Sequence, residues 1–198
     1  ELNPEVLGIS KSRSISVNRP IGSDDKAESF DNETVIGFGS GSVMDWAKLY
    51  AHSNNSRLML IPSILSTNAF LSSEIAVRDG EKVTYQPAKM PDFVIYDERF
   101  IGRAERQANL AGYGDFFAIW TGINDLAIES KGNLPGYGTA GRRLLESLLG
   151  TGVPQNETSL FNLLVDQMNL FVQASQVDEF NRAVRLIEGS EHYFAYSA

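Results

Sequence analysis

The sequence predicts an α/β domain built on a parallel sheet, followed by an all-α half. Three observations carry that prediction. In the first half, short and continuously apolar β-rich runs alternate with turn residues, and one amphipathic helix joins two of them. From Ile101 onward the spacing turns helical. The chain has 198 residues, 42% hydrophobic and 21% charged, which is enough for a well-buried core without cross-links. The change of character divides the chain into an α/β unit over 1–102 and a helical unit over 103–198.

Ser14-Ile15-Ser16-Val17-Asn18 reads as the first strand, Thr34-Val35-Ile36-Gly37-Phe38 as the second, Arg57-Leu58-Met59-Leu60-Ile61 as the third and Phe93-Val94-Ile95-Tyr96-Asp97 as the fourth. Runs apolar on both faces suit a parallel sheet covered on both sides. Between the second and third, Val43, Ala47, Tyr50 and Ala51 share one face of a helix over Ser42–His52, giving a βαβ crossover. Asp79-Gly80-Glu81 between Glu74–Arg78 and Lys82–Tyr85 is a hairpin signal. Arg103–Leu110 and Ala118–Ile128 read as helices around a glycine-rich break, Ala111-Gly112-Tyr113-Gly114-Asp115. Gly132–Gly138 is a loop, and Thr139–Leu149 a helix with a Thr cap and Gly150 as its left-handed stop. Leu160–Ala174 is a buried helix, and Asp178 caps a last one through Ile187.

Composition excludes several classes of function. The formal charge of -8 disfavours a partner that presents a phosphate backbone, so nucleic acid is not expected. No stretch is long and apolar enough for a membrane span, and Glu1-Leu2-Asn3-Pro4-Glu5 lacks the basic start of a signal peptide, so a cytoplasmic protein is expected. Without a secretory signal, Asn32-Glu33-Thr34, Asn54-Asn55-Ser56 and Asn156-Glu157-Thr158 are chance triplets rather than glycosylation sites. The absence of Cys removes disulfides, thiolate metal sites and Cys nucleophiles, leaving N and O atoms for any metal.

Gly37-Phe38-Gly39-Ser40-Gly41-Ser42-Val43-Met44-Asp45 stands where a strand hands over to a helix. Glycines there let a ligand approach the backbone, and the free amides of a helix start favour an anion such as pyrophosphate. A tight βα turn that uses glycine for geometry alone has the same pattern. Ser42 occupies the third glycine position of a Rossmann fingerprint, so that fingerprint is not met. Ser63, Ser66, Thr67, Asn68, Ser72 and Ser73 follow the third strand at the same edge of the expected sheet, where open parallel sheets bind ligands. Their hydroxyls suit a ribose or a nicotinamide amide, and equally a loop bonded to its own backbone. Asp115 follows two glycines at an expected helix start, where a carboxylate is often a cap. His192, one of two histidines, shares a helical face with Tyr196.

Taken in order, Gly39–Lys48, Ile61–Phe70, Ala111–Asp115 and Gly189–His192 resemble the sn-glycerol-1-phosphate dehydrogenases, members of the superfamily of metal-dependent polyol dehydrogenases and dehydroquinate synthases. The resemblance runs from about Thr34 to His192. It implies an α/β domain holding NAD or NADP, a helical domain holding a divalent metal of the zinc type, and catalysis in the cleft between them on a small polyol or ketone phosphate. Carried over by position, Gly39, Ser40, Gly41, Ser42 and Val43 line the pyrophosphate, while Ser63, Ile64, Leu65, Ser66 and Ser72 contact the rest of the cofactor. Asp115 and His192 are the implied metal ligands and catalytic residues. Asn68, Asp115 and Tyr196 face the substrate; Asn68 stands where the family has an Asp, and Tyr196 where it has a second His.

The third implied ligand, a further His, comes later in the family order than Ala198, so the chain resembles a fragment of a dehydroquinate synthase-like protein, and little activity is expected of it alone. A homo-oligomer is compatible with the sequence. Two other readings stand beside the dehydrogenase. A sugar-phosphate cyclase shares fold, cofactor and metal, with Tyr85-Gln86-Pro87 as a faint pointer. A truncated homologue that binds nucleotide without turnover also fits the incomplete ligand set.

Overall fold

The computed structural model describes residues 13–29 and 34–177. Two small sheets form. In the first, β2 (Thr34–Gly39), β3 (Arg57–Pro62) and β6 (Phe93–Val94) run parallel in the order β2-β3-β6, with Thr34 opposite Arg57 and Gly39 opposite Pro62. The expected crossover is α1 (Gly41–Ser53), which packs Met44, Ala47 and Ala51 against Leu58 and Leu60. After the exposed Arg57, central β3 is apolar because its neighbours and α1 cover it, as its sequence requires.

The hairpin predicted at Asp79-Gly80 forms, with β4 (Glu74–Asp79) and β5 (Lys82–Pro87) antiparallel and Asp79 opposite Lys82. It belongs to a second sheet, in which β1 (Ile21–Gly22) lies parallel to β4. The strand expected over Ser14–Asn18 does not form: those residues make no ladder, and pairing begins only after Pro20, which has no N–H to donate. Side chains hold the segment instead. Arg19 clasps Asp25 at 2.5 and 2.6 Å and lies over the Trp46 ring, whose indole N–H donates to the Arg19 carbonyl at 3.1 Å. The fourth strand is also shorter than expected. Asp97 accepts from the Arg99 amide at 2.9 Å and caps α2 (Glu98–Ile101), which draws the chain out of the sheet after Val94.

Beyond β6 the described residues are helical: α2, α3 (Arg106–Glu129), α4 (Gly136–Thr151) and α5 (Glu157–Val177). The break expected at Ala111–Asp115 is absent, and α3 runs through it unbroken for 24 residues. Its glycine serves packing. A Cβ on Gly112 would sit 1.9 Å from the Leu65 carbonyl oxygen, so only glycine lets α3 lie against the loop that follows β3. Helix α4 starts before the expected Thr139 cap, with the Thr139 amide bonded to the Pro135 carbonyl at 3.1 Å, and runs past Gly150. The left-handed stop is Gly152, at φ +77°. Helix α5 is capped by Asn156, whose side chain accepts from the Ser159 amide at 2.8 Å, so this residue of a chance triplet has a structural use. The helix expected over Asp178–Ile187 lies outside the described residues.

Helix α5 takes part in two cores. Leu163, Met168 and Leu170 join Phe116, Ile119, Ile123, Leu126 and Leu145 of α3 and α4. Leu160 and Leu164 join the α/β core beside Leu65, Phe70 and Ile101. A ladder of rings crosses the same seam: Phe70 stacks on Phe161 at 5.9 Å and Phe161 on Tyr96 at 4.4 Å.

The two glycines of α3 give opposite expectations. Gly112→Ala meets backbone and should destabilise the fold by about 3 kcal/mol, the scale of severe overpacking. Gly114→Ala meets open space and should stabilise by about 1 kcal/mol through helix propensity. Urea titration of both variants checks this; equal effects would mean that Gly112 is not a packing glycine.

Candidate functional site

The site is built on the carboxyl ends of β2 and β3. Gly39 and Pro62 end the two strands side by side, and the Ser63 amide donates to the Gly39 carbonyl at 2.8 Å, so the two following loops leave the sheet together. Gly39 has φ +156° and lies so close to Val43 that a Cβ would be 2.7 Å from its side chain, which tightens the turn into α1. Ser40 is the N-cap residue, yet its side chain makes no capping bond. The hydroxyl and the first-turn amides of α1 are therefore left to an outside acceptor. The second loop folds back over this start: a Cβ on Gly41 would lie 3.1 Å from the Thr67 methyl group.

A cleft of about 440 Å³ opens here, lined by Ser40, Ser63 and Ile64 of the two loops together with Phe38, Phe100, Arg103 and Ala104. Phe38 and Phe100 meet edge to face at 4.9 Å. The residues singled out in the sequence thus divide. Ser40, Ser63 and Ile64 line the cleft; Gly39, Gly41, Ser42 and Val43 form the turn and first helical turn beside it; Ser66 and Asn68 are half-buried in the second loop.

Leu65 and Ser72, also expected at the cofactor, are not among the residues that line the cleft. The Leu65 side chain is fully buried in the α/β core, and its amide donates to the Asn109 side-chain oxygen at 3.0 Å. Ser72 is buried and accepts from Lys48 at 2.9 Å. Both hold the loop rather than line the cleft, because the loop alternates between sides as it returns over α1. Phe38, Phe100 and Arg103 carried no signal in the sequence: they come from separate segments and meet only in the fold.

Two buried polar groups position this loop. Asn109 of α3 accepts from Leu65 and donates to the Ile101 carbonyl at 3.2 Å, joining the loop to the end of α2. Lys48 of α1, fully buried, donates to Ser72 and to the Glu74 carbonyl at 2.7 Å, with Asp45 at 3.6 Å. Burial pulls the Lys48 ammonium down to about 8 against the attraction of Asp45, and burial raises Asp45. On the opposite side of the loop, the Asn68 amide lies 3.5 Å from the side-chain oxygen of Gln167, a fully buried residue of α5.

Asp115 lies within α3, one turn after Gly112. His192 and Tyr196 lie outside the described residues. Among the described residues, no group of three His, Cys, Asp or Glu is placed to hold a metal ion, and no helix is long and apolar enough to cross a membrane.

Comparison with known proteins gives this geometry a class. Residues 7–104 match the family model described as iron-containing alcohol dehydrogenase. Over those residues the chain is similar to that family, and the resemblance to glycerol-1-phosphate dehydrogenases is borne out. The glycerol-1-phosphate dehydrogenase [NAD(P)+] of Aeropyrum pernix is 28% identical over 176 residues, which covers 83% of this chain and 48% of that protein. The enzyme of the same name from Halobacterium salinarum is 25% identical over 201 aligned positions, covering 98% of this chain and 55% of its own. A glycerol dehydrogenase of Thermotoga maritima is 32% identical over 94 residues, 46% of this chain and 26% of that one. The chain thus spans about half the length of the glycerol-1-phosphate dehydrogenases it matches. Its fold is shared with a probable glycerol dehydrogenase of Sinorhizobium meliloti, with a TM-score of 0.50 and 22% identity over 68% of this chain and 42% of that one. Glycerol dehydrogenase of Schizosaccharomyces pombe shares it too, at 0.50 and 23% over 70% of this chain and 39% of that one.

The buried lysine predicts a pH dependence. Folding lowers the Lys48 value from 10.5 to about 8, so between these limits the unfolded chain holds a proton that the folded chain has released. Stability should therefore rise with pH across that window, by about 1.4 kcal/mol per unit, and be flat with respect to this group below it. Urea unfolding of the protein and of Lys48→Met from pH 7 to 10.5 tests this: the difference between them should follow that slope, and a constant difference would contradict it.

Proposed function

We propose that this chain is the nucleotide-binding part, with the beginning of the helical part, of an NAD(P)- and metal-dependent oxidoreductase that interconverts a small polyol phosphate and its ketone in the manner of a glycerol-1-phosphate dehydrogenase. One observation carries the reading. A glycine-rich turn and a serine-rich loop leave adjacent parallel strands at their carboxyl ends and border a single cleft at the uncapped start of a helix. The names of the relatives, including their NAD(P)+ cofactor, agree with it. In this reading 1–102 form the nucleotide domain and 103–198 belong to the metal and substrate domain, in a cytoplasmic protein.

The pyrophosphate would rest on the Gly39–Val43 turn, with the Ser40 hydroxyl and the amides of the first turn of α1 as donors. Ser63, Ile64 and Ser66 would contact the remainder of the cofactor. Asn109 and Lys48 would keep that second loop in place without touching a ligand. Asp115 and His192 are the proposed metal ligands, a carboxylate and imidazole set of the kind that binds zinc-type divalent ions. Lewis-acid polarisation of the substrate oxygen is the chemistry such an ion supplies when bound. Asn68 and Tyr196 would orient the substrate, Asn68 through an amide already turned toward Gln167.

Two substitutions test the two halves of this reading separately. Gly41→Val, whose branched side chain would crowd Thr67 and the anion-binding turn, should weaken NAD(P) binding at least about tenfold by calorimetry, because the backbone can no longer be approached. Unaltered affinity would make the turn purely structural. Asp115→Asn should lose bound metal, read by elemental analysis, while retaining nucleotide affinity; undiminished metal content would remove Asp115 from the ligand set.

A further inference from the structure

Two electropositive features border the cleft. One is the start of α1 with Ser40. The other is Arg103, which follows α2 and lines the same cleft as the Phe38–Phe100 pair. Glu105, two residues on, is the N-cap residue of α3 and does not line the cleft, and the two acidic residues that precede Arg103 are engaged elsewhere. Asp97 is taken by Arg99, at 2.5 and 3.0 Å, and Glu98 accepts from the Thr158 hydroxyl at the head of α5. Arg99 is thereby neutralised, whereas Arg103 makes no ion pair or side-chain hydrogen bond among the described residues and is exposed to the cleft. In a chain of net charge -8, an unneutralised guanidinium at the wall of a nucleotide-sized cleft is placed for an anion.

A dinucleotide that carries only a pyrophosphate supplies one anionic centre, and the start of α1 accommodates it. A second cationic feature calls for a second anionic group on the same ligand. The aromatic pair beside Arg103 offers ring edges and faces to a base, which puts the adenosine end of the dinucleotide there. The anionic group found at that end is the phosphate on the ribose 2′ oxygen. We infer that Arg103 is a specificity-determining residue that makes this cleft prefer NADP over NAD by pairing with the 2′-phosphate. The inference rests on the nucleotide-binding reading above and adds to it the choice of cofactor.

The experiment is calorimetric titration of the protein, Arg103→Ala and Arg103→Glu with NADP+, NAD+, 2′,5′-ADP and 5′-AMP, with thermal melts to establish that each variant folds. The parent protein should bind NADP+ and 2′,5′-ADP about tenfold or more tighter than NAD+ and 5′-AMP, the scale of a charge-assisted pair. Arg103→Ala should bring the members of each pair to near equality by weakening the phosphorylated one alone, and Arg103→Glu should invert the preference. If NADP+ and NAD+ bind the parent equally, or if Arg103→Ala weakens both alike as a pyrophosphate contact would, the specificity role is overturned while nucleotide binding stands. Should neither dinucleotide bind, the nucleotide-binding reading falls and the inference with it.

Discussion

Leu65 is where the two halves of the chain are locked together. Its side chain fills the α/β core, its amide is held by Asn109 and its carbonyl lies against the bare backbone of α3 at Gly112. One residue thus receives hydrophobic burial, a buried hydrogen bond and a close backbone approach, three constraints that fix the loop after β3 in position and orientation. The placement of Ser63 and Ile64 on the cleft follows from this anchor, because they are the residues between it and the end of β3. Lys48 performs the same service at the far end of the loop through Ser72. The cleft is therefore bordered by a loop pinned at both ends by groups that do not themselves face it.

Much of the α/β frame was legible in the sequence because its causes are local. The apolar run Leu58–Ile61 and the neighbouring Thr34–Phe38 specify strands by residue type, the face Val43–Ala47–Ala51 specifies α1, and Asp79-Gly80 specifies a hairpin turn. The readings that failed share a different origin. Gly112 reads as a helix break because glycine is a weak helix former, whereas its reason lies in a carbonyl from a distant loop. Ser14–Asn18 alternates like a strand, but no neighbouring backbone takes up its ladder, and Arg19 and Trp46 hold the region through side chains instead. Asp97 looks like the end of a strand and is a helix cap.

The candidate site was legible to the same extent. The glycine turn and the serine loop are contiguous in sequence, so their chemistry shows as a motif, and the fold brings both to one strand edge. Which loop residues look outward cannot be read from a list of serines. Ser63 lines the cleft and Ser72 serves a buried lysine, a difference set by the path of the chain over α1. The rest of the lining, formed by Phe38, Phe100 and Arg103, is assembled from positions with no common spacing and becomes recognisable only when the segments meet.

The division of α5 between two cores has a thermodynamic consequence. Leu160 and Leu164 on one side and Leu163, Met168 and Leu170 on the other are carried by the same rigid rod, so neither cluster can dissolve without stripping partners from the other. The described part of the chain should accordingly melt as a single cooperative unit, with calorimetric and van't Hoff enthalpies in agreement, even though its architecture would be drawn as two layers of different secondary structure.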